Sequence, residues 1–322
     1  MDTPSAHDKL AHFPISFFAT VMGLSGLTIA TEKAEHVWQT GHFASPWLLG
    51  LTVLVFLGIA AVYLIKLATR RASVMEEFNH PIRLSFFPAT SIGLILIAIA
   101  AYPYLPGVSL WLWGLGTVAH LLFSLTILSL WMHHDKFQIQ HSNPAWFIPI
   151  VGNILVPVIG VDLGFPEVSW FFFSVGLLFW VVLLTILMNR YFFHNPMPAK
   201  LLPTLFIFIA PPAVGFISWL KLNGGEIDAM GRFLYYIALF TTLLLFFQFR
   251  HFAKVKFAMP WWAYSFPMAA IAIASMLMYQ KIGGSFFAVL SLILLAALAL
   301  LIVVLIINTL AAMKRGEVCV PE

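Results

Sequence analysis

The distribution of charge is the feature that most limits what this chain can fold into. Its 17 Lys and Arg and 13 Asp and Glu residues all lie outside ten uncharged runs of 17 to 26 residues. A helix of about 20 apolar residues crosses a bilayer, and within hydrocarbon only helices or closed barrels pair every backbone polar group. The sequence therefore predicts an all-α integral membrane protein with ten transmembrane helices, at approximately 13–31, 46–65, 84–104, 107–131, 145–161, 168–189, 201–220, 233–249, 257–280 and 285–310.

Prolines alternate along these runs. The even-numbered runs have none beyond a first residue or a flank, whereas every odd-numbered run contains at least one. They include Pro14, Pro88, Pro149, Pro157, Pro203, Pro211, Pro212 and Pro267. A proline inside a helix removes a backbone donor and clashes with the preceding turn, so each odd-numbered helix is predicted to kink. A single proline more often marks a packing kink than a function, and the inference rests on the alternation of the whole set.

Equivalent prolines recur at the length of a helical hairpin. Pro14, Pro88, Pro149, Pro211 and Pro267 are separated by 74, 61, 62 and 56 residues. This repeat predicts five tandem hairpins. Because successive hairpins enter from the same side, the five proline-kinked helices run parallel. The simplest arrangement is a closed inner ring around a central pore, with the even-numbered helices outside.

Positive charge is concentrated on one side of the membrane. The tails and the second, fourth, sixth and eighth connections hold 13 Lys and Arg residues, against 4 on the other side. The positive-inside rule then places both termini in the cytoplasm. We expect a cytoplasmic tail at 1–12, a channel domain at 13–310 and a second cytoplasmic tail at 311–322, in a bacterial inner (plasma) membrane and without a cleavable signal.

The same distribution argues against several functions. No acidic residue lies inside a run, whereas ion-coupled carriers usually need an intramembrane carboxylate. No nucleophile with a base, phosphate-binding loop or cofactor motif is recognisable, so we expect neither an enzyme nor a cofactor nor a nucleic-acid partner.

The single Cys319 excludes an internal disulfide. His133, His134 and His141 fall in one loop and are expected to be solvated rather than to bind metal. His120 is expected to be a neutral side chain bonded to a neighbouring helix or at the subunit interface.

Four stretches resemble a known family. They are HPIRLSFFPA from His80, PISFFATVMGLSGL from Pro14, NPAWFIPIVGN from Asn143 and WWAYSFPM from Trp261. These stretches resemble the tellurite-resistance/dicarboxylate transporter family, which includes the bacterial TehA proteins and the plant guard-cell slow anion channels. The resemblance implies a ten-helix protomer of five hairpins, a homotrimer, and a pore in each protomer closed by a phenylalanine of the ninth helix. That phenylalanine maps to Phe266.

The resemblance and the proline pattern together nominate further site residues. The predicted pore-lining or kink positions are Phe18, Gly23, Phe87, Pro88, Pro149, Gly152, Asn153, Pro211 and Pro267. Arg83 lies at the cytoplasmic entrance of the third helix, where it either concentrates anions or anchors the helix to lipid headgroups. Phe266 precedes a proline, where side-chain direction departs most from that of a straight helix. It either closes the pore as a hydrophobic gate or packs against Trp261 or Trp262.

These features favour a gated channel that conducts small inorganic anions such as chloride and nitrate passively. A path free of acids repels no anions, and half-helices that begin at the kinks present their positive ends to it. The alternatives are a carrier for C4-dicarboxylates such as malate, or for tellurite, and a membrane scaffold without transport. The expected partners are small anions, membrane lipid and two further copies of the chain.

Overall fold

The structure is a computed structural model that describes residues 6–320. Residues 1–5 and 321–322, the ends of the two predicted tails, lie outside it. The described residues form helices and connections, with no strand among them. The protein is an all-α integral membrane protein.

Five long helices are continuous and lie on the outside. The outer helices, numbered one to five in chain order, are Ser45–Thr69, Pro106–His133, Pro166–Phe193, Ala229–Phe247 and Ser285–Lys314. The first three carry their only proline in the first turn, where no intrahelical donor is lost. Asp228 caps the fourth by accepting a hydrogen bond from the backbone N–H of Gly231 at 2.8 Å. The absence of interior prolines therefore corresponds to uninterrupted α-helices.

Five other segments alternate with the outer helices and are irregular. The inner segments, again numbered in chain order, are Ile15–Val37, Arg83–Ala101, Pro144–Gly160, Ala199–Leu222 and Met259–Ile282. Nine of these ten elements are long and apolar enough to cross a membrane within the described part of the chain, and Pro144–Gly160 is a shorter apolar segment.

Each inner segment starts as a 3₁₀-helix and continues as an α-helix. The α-helical parts of the second, fourth and fifth are Ala89–Ala101, Ala210–Leu222 and Ser265–Ile282. Pro88 directly precedes the first of these, and Pro211 and Pro267 lie in the first turns of the others. The interruption thus differs from the kink predicted within a continuous α-helix. A first-turn proline needs no hydrogen-bond donor, so the chain changes helix type just before it.

The inner segments contact one another in a closed cycle. The first packs against the second and the fifth, and the third and fourth complete the cycle between those two. Each outer helix packs on the inner segment that precedes it in the chain and touches the next one around the cycle. In the four long inner segments 72% to 89% of the apolar stretch is buried, against 17% to 33% in the outer helices. The inner segments therefore form the core, and the outer helices present apolar side chains outward, as hydrocarbon permits.

Candidate functional site

An apolar cavity of about 50 Å³ lies inside the ring of inner segments. All five inner segments contribute to its wall and no outer helix does. The lining residues are Met22, Ile92, Phe147, Ile148, Val151, Gly152, Ile154, Leu155, Ile207, Ala210, Pro211, Val214 and Phe266. None carries a polar or charged side chain. Since one water needs roughly 10–15 Å³ of such space, the cavity has room for a few waters and no surface that would bind them.

Phe266 is the second residue of the α-helix Ser265–Ile282 and is half-buried against the cavity. It forms no ring-to-ring contact among the described residues. Its neighbours Trp261 and Trp262 are engaged elsewhere: Trp261 packs edge-on against Tyr264, and Trp262 donates a hydrogen bond to the Thr309 hydroxyl at 2.9 Å. The ring of Phe266 therefore does not stack on either tryptophan.

Two glycines of the first inner segment hold the backbone beside Phe266 in place. A Cβ on Gly26 would lie 2.8 Å from the Cβ of Ala269 and 3.4 Å from Cδ2 of Phe266. A Cβ on Gly23 would overlap the Ser265 hydroxyl. Because real side chains cannot approach so closely, only glycine lets the first and fifth inner segments pack at this distance. The position of Phe266 is thus fixed from behind while its ring faces the cavity.

The third inner segment is the most irregular part of the wall, and side chains satisfy the backbone groups that it frees. Within Pro144–Gly160, the carbonyl of Pro149 accepts a hydrogen bond from the Ser124 hydroxyl at 2.6 Å. The carbonyl of Val156 accepts one from the indole N–H of Trp113 at 2.9 Å. Both donors belong to the second outer helix. Such pairing is required of a broken helix at membrane depth.

A buried polar cluster stands directly behind the cavity wall at Gly152. A Cβ on Gly152 would lie 2.8 Å from Nε2 of His120, so only glycine fits between the imidazole and the cavity. His120 is fully buried, and its Nδ1 lies 2.9 Å from the Ser91 hydroxyl of the second inner segment, which is the predicted bond to a neighbouring helix. The amide nitrogen of Asn153 donates to the Ser124 hydroxyl at 3.0 Å. This cluster supports the wall and does not form its surface.

The predicted site residues therefore divide into two groups. Gly152, Pro211 and Phe266 line the cavity. The others lie behind or away from it. Phe18 packs edge-on against Phe56 and Tyr63, and Phe87 packs against Tyr63 and Phe78. Gly23 faces Ser265, Asn153 faces Ser124, and Pro88, Pro149 and Pro267 are buried near the points where inner segments change helix type. Sequence reasoning missed Met22, Phe147 and Val214, among others, because apolar residues of an inner helix carry no signal that separates lining from packing.

Arg83 and a buried ion pair lie at the 3₁₀ ends of the inner segments. Arg83 is the first residue of the second inner segment and is half-buried. Nearby in the chain, the carboxylate of Glu77 accepts hydrogen bonds from the Lys66 ammonium at 2.9 Å and from the backbone N–H of Ile15 at 2.6 Å. Lys66 and Glu77 are 2% and 3% exposed. Glu77 thus fixes the start of the first inner segment. The sequence did not suggest this role, because Glu77 lies outside the uncharged runs.

No group of three or more His, Cys, Asp or Glu side chains is placed to hold a metal ion within residues described by the structure. His133 is the last residue of the second outer helix and not part of the loop; it and His134 are exposed. Nδ1 of His141 accepts a hydrogen bond from the backbone N–H of Gln138 at 3.2 Å. The polar chemistry of the site is therefore that of backbone and buried hydrogen bonds.

The fold and the cavity define the class: an all-α membrane protein whose inner segments enclose an apolar cavity. Residues 12–310 match the SLAC1 family model, described as voltage-dependent anion channel, and the chain belongs to this family of anion channels and transporters.

The similar proteins include plant and bacterial members. The chain is 31% identical over 307 residues to the S-type anion channel SLAH2 of Arabidopsis thaliana, covering 91% of this chain and 58% of the relative. It is 27% identical over 287 residues to the guard cell S-type anion channel SLAC1 of the same plant, covering 85% and 51%. It is 25% identical over 282 residues to the tellurite resistance protein TehA homolog of Haemophilus influenzae, covering 83% and 81%. The chain thus spans about half the length of the plant relatives and most of the bacterial one.

Proposed function

We propose that this protein is a gated channel that conducts small monovalent anions, chloride and nitrate among them, through the axial cavity of each protomer, and that Phe266 closes it. The observation that carries the proposal is the apolar cavity lined by all five inner segments, with a half-buried phenylalanine ring that stacks on no other ring. Membership of an anion channel family supports the choice of anions as the transported class.

The closed state follows from solvation. An isolated ion in an apolar medium of low dielectric constant loses tens of kcal/mol of hydration free energy. A cavity of about 50 Å³ without polar side chains cannot replace that hydration with waters or with ligands. An ion crosses only when the passage widens enough to admit its water shell, which is how a hydrophobic constriction gates. Phe266 is one of the partly exposed side chains of the cavity wall, and its removal or rotation would widen the passage.

Preference for anions is supported by the direction of the helices around the cavity. Ile92, Pro211 and Phe266 lie in the first turns of the α-helical parts of three different inner segments. The amino-terminal end of an α-helix carries a partial positive charge of about half a unit. Because each of these α-helices continues from a 3₁₀-helix, the amino-terminal ends lie at the 3₁₀ starts of the segments, and we infer that their aligned dipoles make that side of the ring favourable to an anion. They provide no side chain that would bind it tightly, as fast conduction requires.

The carrier alternative receives less support from the geometry. A C4-dicarboxylate bears two negative charges, and recognition of carboxylates relies on cationic or hydrogen-bonding groups such as Arg. The cavity wall offers neither. We therefore place dicarboxylate or tellurite exchange second, as an outcome that the test below can reveal.

Orientation and assembly are proposed on separate grounds. The 13-to-4 distribution of Lys and Arg supports cytoplasmic termini and a cytoplasmic location for the 3₁₀ ends of the inner segments. We propose a bacterial inner membrane as the location, with tails at 1–12 and 311–322 flanking the channel domain. A homotrimer, in contact with lipid, would cover part of the apolar surface that the outer helices expose.

Purified protein in planar bilayers tests the transport mode. Current that reverses at the Nernst potential of chloride or nitrate as each is replaced is the result expected of a channel. Saturable exchange of labelled malate without conductance would replace the channel with a carrier. Absence of both in wild type and in Phe266→Ala would refute transport through this cavity.

A further inference from the structure

A second cavity, polar and larger, lies at the proposed cytoplasmic end of the third outer helix. Its volume is about 200 Å³, which exceeds by an order of magnitude the roughly 10–15 Å³ that one water needs. Among its polar lining residues Arg190 is buried, whereas His194, Asn195 and Gln140 are exposed, so the cavity opens to the surface. It shares no lining residue with the axial cavity.

Arg190 is the unusual member of this lining. Its side chain is only 3% exposed, and its Nε has no hydrogen-bond partner. None of the ion pairs among the described residues includes Arg190, and no acidic residue lines the cavity. A buried charge left without a counter-ion is strongly destabilising, as is a buried donor left without an acceptor. A bound anion would supply both the counter-ion and the acceptor that Arg190 lacks among the described residues.

We propose that this cavity binds an oxyanion of the phosphate class, held by the guanidinium of Arg190 with His194, Asn195 and Gln140 around it. Guanidinium presents donors in a planar fork that matches two oxygens of a phosphoryl group. Amide and imidazole N–H groups supply further donors. A single chloride would use only part of this donor set, whereas a tetrahedral oxyanion can accept from several directions at once.

The cavity also touches the starts of two inner segments. Gln140 precedes the third inner segment by four residues, and Pro198 is the cap residue of the 3₁₀-helix Ala199–Ile209 in the fourth. A bound oxyanion would therefore tie together the loops from which these two segments enter the ring. Binding itself does not depend on how Phe266 acts, so the two proposals can fail separately.

The phosphoryl group has two possible sources with the same chemistry, free phosphate of the cytoplasm and the headgroup of an anionic lipid. The first arm of the test uses the full chain purified in detergent and follows thermal unfolding during titration with inorganic phosphate, at constant ionic strength set with chloride. The variant is Arg190→Gln. The matched control is Arg250→Gln, which removes the same charge from an exposed position shortly after the fourth outer helix.

Phosphate is expected to reverse the order of thermal stability of wild type and Arg190→Gln. Without phosphate, Arg190→Gln is at least as stable as wild type, because it removes an unpaired buried charge. With phosphate, wild type becomes the more stable, and its apparent affinity for phosphate exceeds that of Arg190→Gln at least tenfold, equivalent to about 1.4 kcal/mol. Arg250→Gln follows wild type within twofold. The general salting effect of phosphate moves all three proteins equally. Should Arg190→Gln fail to fold, Arg190→Lys keeps the charge, loses the fork and is expected to bind at least tenfold more weakly.

The second arm measures retention of lipid by native mass spectrometry after extraction from vesicles of phosphatidylglycerol and phosphatidylcholine. Loss of a phosphatidylglycerol adduct in Arg190→Gln, but not in Arg250→Gln, supports the site with a lipid headgroup as its occupant. A phosphate effect in the first arm alone supports it with a free anion. If Arg190→Gln and Arg250→Gln match wild type in both arms, or if wild type binds neither ligand, the proposal is wrong.

Discussion

Two phenylalanines on one cavity provide a sharp test of the gate. Phe147 and Phe266 both line the axial cavity, but they differ in packing. Phe147 is 2% exposed and packs edge-on against Phe208, with ring centroids 5.5 Å apart. Phe266 is half-buried and has no such ring partner. Truncation to alanine therefore separates loss of packing from widening of the passage.

The magnitudes follow from burial. Phe147→Ala should lose about 3 to 5 kcal/mol of stability, the range for a fully buried phenylalanine. Full burial of a phenylalanine contributes up to about 3 kcal/mol, and Phe266, part of whose ring faces the cavity instead of packed side chains, contributes less than that. Phe266→Ala should therefore remain folded and lose less stability than Phe147→Ala. Pro267 is kept, so the start of the α-helix is unchanged.

Detergent melting and anion flux from liposomes, measured on the same preparations, check this prediction. Phe266→Ala should raise flux severalfold or more over wild type, with a smaller fall in melting temperature than that of Phe147→Ala. Phe147→Ala should melt lower and raise flux less, because the ring of Phe266 remains. A Phe266→Ala protein as unstable as Phe147→Ala, and with wild-type flux, would mean that Phe266 is a packing residue.

Three further predictions concern the starts of the inner segments and the termini of the chain. Glu77→Gln should lower the free energy of unfolding by about 3 to 5 kcal/mol, because Lys66 is left buried without its counter-ion. Adding Lys66→Met should restore most of the melting temperature. An equal loss of melting temperature in the single and double variants would contradict the ion-pair argument. Arg83→Gln should lower conductance more at low ionic strength than at physiological salt, where screening acts over about 8 Å, whereas equal reduction at both salts would indicate that Arg83 anchors the helix. Reporter fusions to either terminus should be active only in the cytoplasm, and a periplasmic signal from either would overturn the proposed orientation.

The outer helices and the division into inner and outer elements could be predicted from the sequence. Uncharged runs and the alternation of proline follow directly from the cost of exposing charge or unpaired backbone to hydrocarbon, so no tertiary information is needed. The outer helix predicted at 46–65 lies within Ser45–Thr69. Its extension past Lys66 was not predictable, because that charge is buried by pairing with Glu77.

The form of the inner segments could not be predicted as well. A proline indicates an interruption, but the long 3₁₀-helix Ala199–Ile209 depends on packing between neighbouring segments. The same limit applies to the site. Family resemblance led to Gly152 and Phe266, which lie on the cavity, and also to Asn153, which faces Ser124 behind it. The face that an irregular helix presents to the cavity depends on how all five inner segments pack together. Arg190 gave no signal beyond its positive charge, since its burial becomes visible only when two loops close over it.

The central claim is that anions cross each protomer through the axial cavity rather than between subunits, and thiol block tests it most directly. The protein carries Phe266→Ala to open the passage and Cys319→Ser to remove its only thiol. Val214→Cys then places one thiol on the cavity wall, and Met313→Cys places one on the exposed last turn of the fifth outer helix, beside Lys314. A charged methanethiosulfonate reagent should abolish anion current in the Val214→Cys protein and leave the Met313→Cys current unchanged. Undiminished current after complete modification of Val214→Cys would show that the conducting path lies elsewhere.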